Sequence, residues 1–208
     1  MPEPVAPSPP TRADAAGAVP DARRIAWEAL SNEIRTCRRC ALGATRTQAV
    51  VYRGSLAPTL VFVGEAPGAE EDRTGLPFAG RAGRRLDAAV ERLRLPPGTY
   101  GMLNVLKCRP PANRFDPTAA RVCRPFLERQ LALLRPTVVV PLGAWALRAL
   151  DPAAPPILRA AGAARPGGPP AVFPLVHPSA VRSRALARRW SDDLDLLSVF
   201  LTATAKGL

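Results

Sequence analysis

Four short apolar runs, 59-TLVFV-63, 102-MLNVL-106, 137-TVVVPL-142 and 171-AVFPLV-176, punctuate this chain, each of strand length and mostly rich in β-branched or large side chains. Between them apolar residues recur at helical spacing. Leu86, Val90 and Leu93 follow the first run, and Val122, Phe126, Leu131 and Leu134 follow the second, starting after Pro117. AWALRAL follows the third run, and Trp190, Leu194, Leu197 and Leu201 follow the fourth. An earlier helix, beginning at Asp21, puts Ile25, Leu30 and Ile34 on one face with Trp27 nearby and leads into Cys37. Parallel strands need crossover connections, so the alternation predicts a three-layer α/β/α sandwich with a mainly parallel four-stranded central sheet. Ligands of such sheets sit at the carboxyl ends of the strands. The segments expected to carry chemistry are therefore GEAPGAEED, KCRPPANR, GAWA and HPSAVRSR, each following a run.

The length of 208 residues suits one core, expected over residues 21–208. Residues 1–20 hold too few large apolar side chains to offset their ordering entropy and read as a disordered Pro/Ala-rich tail. The stretch 151-DPAAPPILRAAGAARPGGPP-170 reads as a surface excursion. No segment approaches the roughly 18 to 20 consecutive apolar residues of a membrane span, and no secretory core opens the chain. The expected setting is the cytoplasm, away from any membrane. There, four cysteines point to thiolate ligands or free thiols in preference to disulfides. The net charge of +12 lies in the body, because Arg12, Arg23 and Arg24 balance Glu3, Asp14 and Asp21. A basic folded body suits a polyanion. The competing explanation is genomic, since only Lys107 and Lys206 are lysines and the rest of the basic charge is arginine.

Cys37 and Cys40 form C-x-x-C, a spacing that turns two thiolates toward one centre, while Cys108 and Cys123 form C-x14-C. A zinc ribbon usually presents a second C-x-x-C, so the wide spacing favours a larger inorganic body without excluding zinc. The loop 64-GEAPGAEEDRTGLPFAGRAG-83 combines glycines that permit close backbone approach, the carboxylates Glu65, Glu70, Glu71 and Asp72, and Phe78 where no core periodicity asks for an aromatic. Neither a dinucleotide fingerprint nor a Walker loop is present.

That loop, the run 104-NVLKCRPPANR-114, the cysteine spacing and 177-HPSAVRSR-184 together resemble the family 4 uracil-DNA glycosylases, in the family's order and from about Cys37 to the final helix. The resemblance implies a monomeric DNA-repair enzyme that flips uracil out of single- or double-stranded DNA and hydrolyses its N-glycosidic bond. It implies a [4Fe-4S] cluster on Cys37, Cys40, Cys108 and Cys123. By motif position Phe78 stacks on the uracil, Asn104 reads its pairing edge, and Ala66 and Gly68 line the base's pocket. His177 donates to O2, and Glu65 stands near C5, where it helps keep thymine out. Ala66 occupies the position where a related family carries a water-activating aspartate, which leaves Glu65 or Asp72 to help the sugar cation or the water. In HPSAVRSR, Val181 is expected to wedge into the minor groove while Arg182 and Arg184 grip phosphates, with Arg81, Arg84 and Arg85 as further phosphate candidates.

A sister group bonds covalently to the abasic sugar through a histidine in an arginine-rich insertion. No such insertion lies between Cys108 and Cys123, and His177 is the sole histidine, so hydrolytic turnover is expected. The rival of another class is a non-catalytic DNA-binding module stapled by a four-cysteine cluster or zinc, which has no use for Phe78, Asn104 and His177 together. A cysteine redox enzyme requires a low-pKa thiol.

Overall fold

The computed structural model describes residues 20–165 and 170–206. All but the last residue of the expected tail lies outside them. The helix α1 (Asp21–Thr36) ends directly before Cys37, and α2 (Leu42–Thr45) follows the C-x-x-C pair. Strands β1 (Arg53–Gly54), β2 (Leu60–Gly64), β3 (Tyr100–Asn104), β4 (Val138–Pro141) and β5 (Ala171–Val172) form one sheet in the order β1-β3-β2-β4-β5. Helices α3 (Ala69–Thr74) and α4 (Arg81–Arg92) join β2 to β3, and α5 (Pro117–Leu134) joins β3 to β4. Next come α6 (Ala144–Leu150) and α7 (Ile157–Ala160), and α8 (Arg184–Lys206) closes the chain. No helix among the described residues is long and apolar enough to cross a membrane.

The period of two along the strands sorts their side chains into two apolar layers. Leu60, Phe62, Met102, Val138 and Val140 face Leu86, Ala89 and Val90 of α4 and Trp190, Leu194 and Leu197 of α8. Val61, Val63, Leu103 and Val139 face Trp27, Leu30 and Ile34 of α1, Phe126, Leu127 and Leu134 of α5, and Ala146 of α6. Each face of the sheet is thus covered by helices, which is the three-layer sandwich expected of the alternation.

The structure corrects three details. The sheet has five strands, not four: β1 pairs antiparallel with β3, Arg53 opposite Met102, while β2, β3, β4 and β5 are mutually parallel. A two-residue strand is too short to leave a periodic trace. The fourth run is regular only at Ala171–Val172, because Pro174 lacks the N–H a ladder needs. Phe173 and Leu175 still donate to the carbonyls of Val139 and Pro141 at 3.0 and 2.9 Å. Ile25 is 67% exposed, so the buried face of α1 is Trp27, Leu30 and Ile34.

Candidate active site and thiolate centre

β2 and β3 end in register, with Gly64 opposite Asn104. A Cβ on Gly64 would collide with the Asn104 Oδ1 and lie 2.6 Å from Phe78 Cζ, so the ring and the amide both reach this strand end because Gly64 has no side chain. Asn104 is 3% exposed, and among the described residues its amide makes no hydrogen bond to protein, although neither amide atom is sealed from solvent. A buried residue whose amide bonds no protein group leaves that amide open to another partner.

Phe78 reaches this point through a left-handed backbone, φ 56°. That conformation costs a non-glycine residue about 1 kcal/mol or more and clusters at functional sites. Gly83 permits it, since any Cβ there would run into the Phe78 carbonyl. Glu71 holds the loop on both sides: its Oε2 accepts from Gly68 N–H at 3.0 Å and its Oε1 from Gly80 N–H at 2.8 Å. The Glu71→Gln variant keeps the volume but turns an NH2 donor toward one of those two N–H groups. We expect it to lose about 1 to 3 kcal/mol of stability in denaturant melts and to bind substrate more weakly.

Glu65 and His177 meet at the next strand end. Gly143, at φ 94°, stands where a Cβ would press on the Glu65 carboxylate and lie 3.1 Å from His177 Cβ. Glu65 Oε1 accepts from Trp145 N–H at 3.1 Å, in the first turn of α6. Burial raises the Glu65 pKa, and the backbone donors of Trp145 and Ala144 oppose that shift. Since Gly64 and Glu65 are consecutive, Phe78, Asn104, Glu65 and His177 gather side by side at the carboxyl ends of β2, β3 and β4.

His177 Nδ1 accepts from Ser179 N–H at 3.1 Å and lies 2.7 Å from Ser179 Oγ. An acceptor nitrogen carries no proton, so the neutral ring bears its hydrogen on Nε2 and presents a donor. Burial pushes the imidazole down to about 4, against the pull of Glu71. The unfolded chain then binds a proton between about pH 6.5 and 4 that the folded chain does not. The contribution of His177 to stability therefore falls as pH is lowered through that window. Melting native protein and His177→Asn across pH 7 to 4 should show the native midpoint dropping more steeply; parallel curves would contradict the shift.

Arg85 Nη1 donates to the Pro178 carbonyl at 2.6 Å and ties the 178–180 turn to α4. Arg182 and Arg184 are exposed, Arg182 donating to the Ser179 carbonyl at 3.1 Å. Val181 is the residue expected to wedge into the minor groove. It is 6% exposed and packs in the cluster that contains Leu86 and Trp190, because burying a valine is worth about 1.5 kcal/mol or more. Among the described residues Asp72 does not join the pocket group by any bond. It is 7% exposed, and both its oxygens accept from Thr47 N–H, at 3.0 and 3.2 Å, tethering α3 to the segment after α2. Ala66 is half-buried and packs toward Cys108 and Leu106, and Gly68 heads α3.

All four cysteines line one cavity, with Ile34, Arg46, Lys107 and Phe126 among its walls. None is in a disulfide. Cys37 follows α1, Cys108 lies past β3 and Cys123 projects from α5. Arg46 Nη1 donates to Cys108 Sγ at 2.9 Å, and the Lys107 N–H donates to the Cys123 sulfur. Burial raises both thiols, and these donors and cations oppose it. Among the described residues no three His, Cys, Asp or Glu side chains are drawn together as ligands of one metal ion.

The sequence did not show the supporting bonds of Glu71, Arg85, Lys107 and the Trp145 N–H, although Glu71 stood among the loop carboxylates and Arg85 among the phosphate candidates. Of these bonds, those of Glu71 alone left a trace, a glutamate three residues after a helix-opening Gly68.

The chain is similar to a protein of Thermotoga maritima named Type-4 uracil-DNA glycosylase, 42% identical over 126 residues, which are 60% of this chain and 66% of the relative. It is similar to the Archaeoglobus fulgidus protein of the same name, 47% identical over 116 residues, 55% of this chain and 58% of that one. A third so named, from Sulfurisphaera tokodaii, is 41% identical over 119 residues, 56% of this chain and 54% of that one. In each case the match spans less than two thirds of the relative's own length. The model of the Uracil DNA glycosylase superfamily matches residues 51–195, and with most of the chain so covered, the protein belongs to that superfamily.

Proposed function

We infer that this protein is a uracil-DNA glycosylase: it takes a flipped uracil from DNA, hydrolyses the N-glycosidic bond and leaves an abasic site. The observation that carries the reading is the gathering of Phe78, Asn104, Glu65 and His177, distant in sequence, at one end of the sheet. A flat apolar ring offers stacking to a flipped base. The Asn104 amide accepts from N3–H through its oxygen and donates to O4 through its nitrogen; cytosine reverses the exocyclic group and is refused. Bond cleavage leaves negative charge on the departing base, and the Nε2–H of a neutral His177 meets that charge at O2. A neutral donor is what the low imidazole pKa provides at ordinary pH. Glu65, held by the Trp145 N–H, lines the pocket near C5.

The cysteines supply the donor set of a [4Fe-4S] cluster. Their sulfurs share one cavity without converging on a single ion, and they already meet N–H and guanidinium donors of the kind that neutralise a thiolate-bound cluster. When bound, the cluster would pin α1, the segment after β3 and α5 together. Exposed Arg182 and Arg184 suit the phosphates of the DNA, and the charge of +12 suits the polyanion generally.

Incubating the purified protein with a uracil-containing oligonucleotide, then cleaving abasic sites with alkali, tests the reading. Strand scission by native protein and its loss in Asn104→Ala are expected. An uncleaved strand bound with unchanged affinity would favour a DNA-binding module that cuts no bond.

A further inference from the structure

Lys107 lies between the pocket and the thiolate cavity and is 1% exposed. Burying a lysine is costly, and a site needing only an apolar filler is served better by leucine or methionine. Lys107 Nζ donates to the Asn104 carbonyl, its N–H to the Cys123 sulfur, and its own carbonyl accepts from Val50 N–H at 2.8 Å. The Asn104 carbonyl is where β3 ends, so it needs an acceptor's partner from outside the ladder. Charged or neutral, a lysine amine can supply one.

We propose that Lys107 is a positioning residue for base reading: it closes the Asn104–Lys107 turn from inside and, with its N–H and its neighbour Cys108 held at the thiolate centre, fixes the direction of the Asn104 amide. The proposal rests on the glycosylase reading and deepens it. It makes the thiolate centre part of what sets the pocket, through the three-residue span between Asn104 and Lys107.

Lys107→Met and Lys107→Arg test it, with three readouts: visible absorption of the cluster per chain, affinity for free uracil by calorimetry, and the single-turnover rate of uracil release. In the Met variant we expect native cluster absorption and native affinity for undamaged DNA, weaker uracil binding, and release slowed about tenfold or more, the scale of one lost buried hydrogen bond. The Arg variant, which keeps a donor, should recover much of the rate. A cluster-loaded Met variant with native rate and native uracil affinity overturns the proposal. If the Met variant emerges without the cluster, the Arg variant decides: loaded and fast supports it, loaded and slow overturns it. Loss of the cluster in both overturns it too, since Lys107 would then serve the thiolates alone. Absence of uracil release from the native protein would instead mark failure of the glycosylase reading.

Discussion

His177→Ala is expected to slow single-turnover uracil release by about 100- to 1000-fold, the scale measured for removing one donor aimed at developing negative charge. Affinity for undamaged DNA should not change, because the side chain's visible partner is Ser179, two residues away. The pH profile distinguishes a donor from a base. With the imidazole pushed down to about 4, the ring stays neutral as pH falls through 6.5, so the rate of native protein should hold across that range. Protonation below about 4 removes the acceptor that Ser179 N–H uses. An acid limb near pH 6.5 that vanishes in His177→Ala would show an ordinary, solvated histidine instead.

Asn104→Ala is expected to reduce uracil release by a similar or larger factor, through binding and rate together. A bidentate amide–base pair is worth about 1 to 3 kcal/mol of discrimination, and the Ala variant loses both bonds at once. Because among the described residues Asn104 makes no hydrogen bond to protein through its amide, removal should cost little folding stability; the effect is confined to the pocket. Melting curves close to native, with release lost and thymine still refused, are the expected result. Continued exclusion of thymine follows because Glu65 keeps its bond to Trp145 N–H. A destabilised Asn104→Ala protein would mean that the amide serves the fold.

The sequence revealed the sandwich because β2, β3 and β4 are buried on both faces and write continuous apolar runs, whereas β1, an antiparallel edge of two residues, writes nothing. The second run was placed two residues late: Val105 and Leu106 continue the apolar pattern and still donate to the Gly64 and Glu65 carbonyls, although the strand ends at Asn104. The candidate pocket side chains were assigned by the family resemblance; of them only the loop aromatic and the lone histidine also stand out by residue type. Their supports could not be read from the sequence, since Arg85 to Pro178 and Glu65 to Trp145 join positions far apart through backbone groups every residue possesses. Val181 and Asp72 received their roles by position in a motif, and what the fold adds is that Val181 is buried and Asp72 bonds Thr47. Position in a motif fixes where a residue sits along the chain, not which way its side chain turns.

A crystal structure of the protein with bound uracil tests the central claim most directly. The pyrimidine should lie flat on Phe78, with the Asn104 amide bonded to N3–H and O4 and His177 Nε2 bonded to O2, each at about 2.7 to 3.2 Å. Uracil seated away from these residues, or lying with its O2 toward Asn104, would contradict the account.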